Sequence, residues 1–179
     1  MVLPLSHWKK LYQKLKHQAL CIDVEATHWN GPISIIGVYK PKEGEIEYTA
    51  YVKDINLTAE SLKKAFAGCK LLITFNGMSY DVPEIKKQFL GAIPDNMPVI
   101  DLYLLAKSMN MDGGLKILEK TFNIFRKEEV ENKRRISTKY WKKYEATGNE
   151  KVLETLIEYN RQDTINLYPL AEKIMEMIE

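Results

Sequence analysis

Acidic side chains at three separated points of the chain could together bind divalent metal ions. Asp23 and Glu25 stand one residue apart, and Asp81 follows an apolar run. Asp163 stands four residues after Tyr159. Carboxylate oxygens are hard ligands of the kind that Mg²⁺ and Mn²⁺ prefer. Two such ions about 4 Å apart can activate water and neutralise a phosphoryl group, which is the chemistry of phosphodiester hydrolysis.

Each of these acids also has an ordinary structural explanation. Alternate residues of a strand point to one face, so Asp23 and Glu25 would project together in any strand. The solvent-exposed face of an edge strand would explain the pair without a metal. Asp81 stands where a helix N-cap is expected. Tyr159 and Asp163 share a helical face, as in many surface contacts. Metal chemistry therefore requires a fold that brings the four acids together.

The first part of the chain predicts three strands, at 19–27, 33–40 and 45–53. Short turn sequences separate them, Asn30-Gly31-Pro32 and Pro41 to Gly44. Such short connections indicate an antiparallel meander.

The next segments alternate between helix and strand. A helix capped by Thr58 leads to the apolar run at 70–76, which is typical of a buried strand. A crossover of this kind joins parallel strands. A helix is predicted to begin near Asp81, with Pro83 in its first turn, and a short strand follows at 98–100.

The rest of the chain has helical periodicity, with one helix ending at Gly148 and a long stretch from about 150 to 178 that breaks near Tyr168-Pro169. The fold class predicted is α/β, a mixed five-stranded sheet flanked by helices. We expect one domain over 1–179, with an N-terminal helix in 1–18.

Composition predicts an ordinary soluble protein, with 45% hydrophobic residues and a net charge of +2. No apolar run reaches the roughly 20 residues needed to cross a bilayer, and the start of the chain lacks a signal-peptide pattern. We therefore expect a cytoplasmic protein with no membrane partner. Cys21 and Cys69 lack metal-ligand spacing, so free thiols are expected. Monomer and homo-oligomer stay open.

Four segments resemble, in order and spacing, the DEDDy 3′–5′ exonucleases of the ribonuclease-H-like (DnaQ-like) superfamily, and within it the YprB-like branch. They are CIDVEAT, ITFNGMSYDVPEI, DLYLLAK followed by LKILEKTF, and EYNRQDTINL. The acid-x-acid element is common in proteins, whereas the second segment joined to a downstream YN-x-x-D is specific. The resemblance covers residues 19–170.

This resemblance implies the ribonuclease-H-like fold and a metal-dependent 3′–5′ exonuclease that uses two Mg²⁺ or Mn²⁺ ions. It assigns Asp23 and Glu25 to the first motif, Asp81 to the second, and Tyr159 with Asp163 to the third. Asp23 would bridge the ions, and Tyr159 would orient the attacking water, since an ordinary phenol is a poor base at neutral pH.

Residues beside these motifs are candidates for contact with substrate. The chain departs from many relatives at Ala26, where they have threonine; Thr27 and Trp29 follow it and could contact a terminal nucleotide. Trp29 would equally pack in the protein. Asn76 and Gly77 suit close approach of a ligand, although a turn that ends the strand explains them equally well.

A basic and aromatic segment, KRRISTKYWKKY, suits a single-stranded backbone with stacked bases. Lys142 and Lys143 are its candidate phosphate contacts. The alternative is an amphipathic helix whose aromatic residues are core and whose lysines are solvated; both descriptions can hold for two faces of one helix.

The leading hypothesis is release of 5′-mononucleotides from single-stranded nucleic acid, with DNA favoured over RNA. Three alternatives stay open: a structure-specific endonuclease with the same site, a non-catalytic nucleic-acid-binding module, and a structural or partner-binding protein. No motif specifies the contact to the 2′-hydroxyl that distinguishes RNA from DNA.

Overall fold

The computed structural model of the protein describes residues 4–28, 30–42, 45–127 and 136–179. Trp29 lies outside the described residues, as do Lys133, Arg134 and Arg135 of the basic segment. The strands are β1 Ala19–Ala26, β2 Ile33–Lys42, β3 Glu45–Val52, β4 Leu71–Thr74 and β5 Val99–Asp101. The helices are α1 Leu5–Leu15, α2 Ala59–Phe66, α3 Asp81–Gln88, α4 Leu102–Ser108, α5 Leu115–Thr121, α6 Ile136–Thr147, α7 Glu150–Ile165 and α8 Leu167–Met177. A 3₁₀ turn, Lys16–Gln18, joins α1 to β1.

The five strands form one mixed sheet in the order β3-β2-β1-β4-β5. The first three strands are antiparallel neighbours, and β4 is parallel to both β1 and β5. The predicted meander, the parallel crossover and the α/β class are all confirmed. Because β1 lies in the middle of the sheet, its two acids are not on an edge strand.

Helices cover both faces of the sheet, and the alternation along β1 decides which residues meet them. Cys21 lies in a buried cluster with apolar residues of α4 and α8, whereas Leu20 and Ile22 pack with α2 and α3 on the other face. A third cluster joins β2 and β3 to α6 and α7, centred on the buried Trp141. Asp23 and Glu25 have the same parity as Cys21, so they project on its face, toward α6 and α7.

Helix ends agree with the sequence in part. Thr58 caps α2 through a capping box with Ser61, and α6 ends before Gly148, whose φ of 61° is left-handed. The predicted capping role of Asp81 is wrong, because Tyr80 occupies the N-cap position and Asp81 is the first residue of α3.

The long C-terminal stretch breaks at Asn166, between α7 and α8, rather than at Tyr168-Pro169. Pro169 stands in the first turn of α8, where its missing N–H has no helical partner to lose. Among the described residues, no helix is both long enough and apolar enough to span a bilayer.

Candidate metal centre

Three of the predicted acids meet on one face of the sheet. Asp23 and Glu25 of β1 and Asp163 of α7 each present a carboxylate oxygen, and these three oxygens lie within 4.8 Å of one another. Glu25 and Asp163 are buried, and Asp23 is half-buried. A set of hard oxygen donors at this spacing fits Mg²⁺ or Mn²⁺ better than zinc.

The fourth acid, Asp81, lies beside this group but is not one of its three members. The hydroxyl of Thr74, at the end of β4, donates to Asp81 Oδ2 over 3.2 Å. The negative charge of Asp81 also raises the pKa of Asp23, after burial and the charges of Glu25 and Asp163. Asp81 is thus within electrostatic reach of Asp23 and Glu25, at the start of α3 and in contact with the last residue of β4, the parallel neighbour of β1.

Burial and mutual repulsion oppose ionisation of these acids. Burial raises the pKa of Glu25 to about 8, with a further contribution from the charge of Asp163. Burial likewise raises the pKa of Asp81 to about 7, and it raises the pKa of Asp23 well above its ordinary range, assisted by the charge of Glu25. Such a concentration of like charge favours either protons or bound cations.

Arg126, which was not predicted, supplies a positive charge to this centre. Its Nη2 atom lies 2.5 Å from Asp163 Oδ1. The same guanidinium donates two hydrogen bonds to Glu119, of 2.6 and 2.7 Å, and Glu119 Oε1 also accepts a 3.0 Å bond from Asn166 Nδ2. Burial raises the pKa of Asp163, and the charge of Arg126 offsets part of that rise.

Tyr159 lies beside the acids, one helical turn before Asp163. The ammonium group of Lys116 donates to its hydroxyl over 3.4 Å and lies 4.7 Å from the centre of its ring. Burial raises the pKa of the Tyr159 phenol, and Asp163, Glu25 and Asp23 raise it further. Burial lowers the pKa of Lys116. The phenol is therefore held in place in its protonated form.

Two more residues, Asn160 and Tyr48, reach the site without having been predicted. Asn160 Nδ2 donates to Asp23 Oδ2 over 2.8 Å, and the Tyr48 hydroxyl donates to Asn160 Oδ1 over 2.8 Å. Asn160 belongs to the YNRQD segment and Lys116 to LKILEKTF, so their positions in these motif segments could have predicted a place near the acids. No local signal marked Arg126 or Tyr48, which reach the centre only through the tertiary fold.

The structure describes three of the predicted substrate residues near the motifs. Thr27 is buried, and its hydroxyl lies 2.9 Å from Nδ1 of His28. Asn76 has a left-handed φ of 60°, and its N–H donates to Asp101 Oδ1. A Cβ on Gly77 would lie 2.1 Å from Thr74 Oγ1 and 2.8 Å from Asp81 Oδ2. The turn and the packing on Asp81 account for these last two residues, and a contact with substrate stays a prediction for them and for Thr27.

Helix α6 has a buried aromatic face and an exposed basic face. Trp141 is buried, while Lys142 and Lys143 are exposed. The first turn of α6 touches the acid group, because the Ser137 side chain hydrogen-bonds Glu25. At 1.5 Å per residue, the two lysines lie about 8 to 9 Å further along the helix axis.

Comparisons with known proteins identify a family and a fold. A sequence model of the RNase_H superfamily matches residues 20–175, and no curated protein matches the chain. The fold is similar to the family B DNA polymerase from the hyperthermophilic archaeon Pyrobaculum calidifontis, with a TM-score of 0.63 and 17% identity over 88% of this chain. The match covers 24% of the polymerase chain, so this chain spans about a quarter of that protein.

A second similarity is to the EXD2 exonuclease domain soaked in Mg and GMP. It has 18% identity over 96% of this chain and 88% of that chain, with a TM-score of 0.37. That score is too low to establish a shared fold.

Proposed function

The chain belongs to the RNase_H superfamily, and from the acids on its central strand we propose that it is a metal-dependent 3′–5′ exonuclease of the DEDDy type. Its substrate would be single-stranded nucleic acid, with DNA favoured over RNA, and its products 5′-mononucleotides. The YprB-like branch is the part of the superfamily that its four motif segments resemble.

The observation that carries this proposal is the meeting of Asp23, Glu25 and Asp163. Their oxygens lie within 4.8 Å of one another although burial and repulsion raise the pKa of every one of these acids. An arrangement that opposes its own ionisation costs stability, and such costs are concentrated at functional sites. Hydrophobic packing alone would not select three acids here.

The four predicted acids would hold two divalent cations, Mg²⁺ or Mn²⁺. Bound there, the cations would supply positive charge to the phosphoryl group and an activated water. Asp23, Glu25 and Asp163 provide the closest set of oxygens. Asp81 would complete the site from the start of α3, with its carboxylate held by Thr74 at the end of β4.

Tyr159 would orient the attacking water without taking its proton. Its pKa is raised by burial and by the nearby acids, so the phenol remains protonated at neutral pH. Because its oxygen accepts a hydrogen bond from Lys116, its own O–H is available to a second partner. Lys116 would thus fix the direction in which the phenol donates.

The exposed lysines of α6 would bind the strand that leads away from the acids. Lys142 and Lys143 lie on the solvent face of a helix whose first turn contacts Glu25. Two lysine side chains at this position suit contact with the phosphates of a single strand, because proteins bind single strands largely through phosphate charge and base stacking.

The polarity of cleavage tests the proposal. Strands of DNA and RNA labelled at either end would be incubated with Mg²⁺, Mn²⁺ or a chelator, beside the Asp163→Asn variant. We expect the 3′ label to appear first as a mononucleotide, 5′-labelled strands to shorten stepwise, and the chelator and the variant to stop both. A blocked 3′ end should prevent cleavage; continued cutting would instead assign an endonuclease, and no metal-dependent cleavage would refute a nuclease.

A further inference from the structure

We propose that Asn160 is a positioning residue that presents Asp23 to a divalent cation, and that Tyr48 anchors its amide from the other end. This inference rests on the proposed function, because it assumes that Asp23 binds metal. Asn160 belongs to the YNRQD segment, and its side chain hydrogen-bonds the candidate metal ligand Asp23 without being a candidate ligand itself.

The amide of Asn160 is bonded to Asp23 at two points. Nδ2 donates to the carboxylate oxygen Oδ2 over 2.8 Å and approaches the backbone carbonyl of the same residue at 3.3 Å. Asn160 is fully buried, with 0% of its surface exposed. One oxygen of Asp23, and with it the plane of the carboxylate, is therefore held by a group that water cannot replace without opening the packing.

Tyr48 holds the oxygen end of the amide, the end that faces away from the Asp23 carboxylate. Its hydroxyl donates to Asn160 Oδ1 over 2.8 Å. An amide turned by 180° would place its N–H₂ against the hydroxyl and its oxygen against the carboxylate, where two acceptors would meet. The hydrogen bonds from Tyr48 to Asn160 and from Asn160 to Asp23 thus connect β3, α7 and β1, and the Asp23 carboxylate selects one orientation of the amide.

The sheet leaves room for this amide only because residue 37 is glycine. Gly37 is the register partner of Asp23 on β2. A Cβ at that position would lie 2.0 Å from Asn160 Oδ1 and 2.3 Å from the Thr164 hydroxyl. Substitution of Gly37 by alanine should therefore displace the amide of Asn160. It leaves the hydrogen-bonding groups of Tyr48, Asn160 and Asp23 in the protein.

Groups that hydrogen-bond to metal ligands fix ligand orientation, and their loss commonly lowers metal affinity by about 10- to 100-fold. We therefore expect Asn160→Ala and Gly37→Ala to weaken Mn²⁺ binding about tenfold, and Tyr48→Phe to weaken it about threefold. The affinity is measured without substrate, by titration of the purified full chain with Mn²⁺ followed by electron paramagnetic resonance.

Two matched controls separate positioning from general damage. Gly114 has no heavy atom within 4 Å of an added Cβ, and Tyr51 packs on the opposite face of β3 from Tyr48. Gly114→Ala and Tyr51→Phe should bind Mn²⁺ within twofold of the wild type. If Asn160→Ala fails to fold, the Mn²⁺ affinities of Gly37→Ala and Tyr48→Phe test the positioning role.

The outcomes distinguish this inference from the proposed function. Wild-type affinity for Mn²⁺ in the folded Asn160→Ala, Gly37→Ala and Tyr48→Phe variants would overturn the positioning role and leave the metal site intact. Failure of the wild-type protein itself to bind Mn²⁺ would overturn both. Selective weakening in these variants, with unchanged controls, would establish the role.

Discussion

The guanidinium of Arg126 lies 2.5 Å from the carboxylate of Asp163, and it binds Glu119 through two further hydrogen bonds. Only 2% of the Glu119 side chain and 16% of the Arg126 side chain are exposed. The Arg126 guanidinium therefore compensates two acids directly, one at the candidate metal centre and one behind it, and Lys116 is a second positive charge near both. This arrangement ties α5 and the segment that follows it to α7.

Removal of the Arg126 charge should destabilise the metal-free protein. Arg126→Gln removes the positive charge that contacts Glu119 and Asp163 directly, and breaking a buried ion pair typically costs about 3 to 5 kcal/mol. We expect the free energy of unfolding, measured by urea denaturation with a chelator, to fall by about 3 kcal/mol.

Arg161→Gln provides a matched control for this loss. Arg161 lies 3.5 Å from Glu158, and 29% and 35% of the two side chains are exposed. A pair this exposed contributes less than about 1 kcal/mol. Equal losses in the two variants would show that the Arg126 pair has no special role in stability.

Stability of the metal-free protein should decrease as pH rises. The folded-state pKa is about 8 for Glu25 and about 7 for Asp81, against ordinary values of 4.5 and 3.8. Between each pair of values the folded protein retains a proton that the unfolded chain releases, so the free energy of unfolding falls with pH. Thermal melts with a chelator from pH 4 to pH 9 should show a melting temperature that declines across this window.

Glu25→Gln should reduce that decline and stabilise the metal-free protein at pH 8. Because about 1 kcal/mol corresponds to roughly 2 to 4 °C in a domain of this size, we expect its melting temperature to rise by about 3 °C or more. Glu154→Gln, at an exposed position of α7, should change neither quantity. A melting temperature that rises with pH in the wild type would contradict the described burial of these acids.

Tyr159→Phe should lower turnover by about 10- to 1000-fold with little change in KM, since the variant loses the hydroxyl that orients water but keeps the ring. Steady-state cleavage of a labelled single strand measures both constants. Tyr103→Phe is the control, because Tyr103 also has a lysine near its ring, Lys107 at 6.0 Å. Full activity of Tyr159→Phe would remove the tyrosine from the mechanism.

Much of the fold could be predicted because it depends on local patterns. The alternation in β1 and the short turns of the meander need only neighbouring residues, and both predictions are confirmed. The break before α8 falls two residues earlier than the proline predicts, since Pro169 is tolerated within the first turn of a helix. Local sequence predicts a cap at Asp81, whereas the contact with Thr74 engages its side chain instead.

The surroundings of the acids could not be predicted, because they depend on pairs of residues far apart in sequence. Tyr48 and Asn160 are separated by 112 positions, and Asn160 and Asp23 by 137. Arg126 follows α5 in a segment without a recognisable pattern, yet it reaches Asp163. Spacing identified the acids, and only the packing of α7 on the sheet identifies what holds them.

Lys142→Ala with Lys143→Ala should weaken binding of single strands and reduce its dependence on salt. Removal of one lysine–phosphate interaction should lower the slope of log affinity against log salt by about 0.7, so the double variant should lower it by about 1.4. Fluorescence anisotropy of a labelled strand with Ca²⁺ in place of Mg²⁺ measures the slope. Lys10→Ala with Lys14→Ala, at exposed positions of α1, is the control, and equal slopes in both double variants would make the α6 lysines ordinary solvated residues.

The position of bound Mn²⁺ tests the central claim most directly. In crystals of the protein grown or soaked with Mn²⁺ and a nucleoside monophosphate, anomalous scattering locates the ions without reference to any assumed site. We expect peaks about 2.1 Å from carboxylate oxygens of Asp23, Glu25 and Asp163, and two peaks about 4 Å apart when both ions bind. Crystals that hold Mn²⁺ elsewhere, with none at these three acids, would contradict the account.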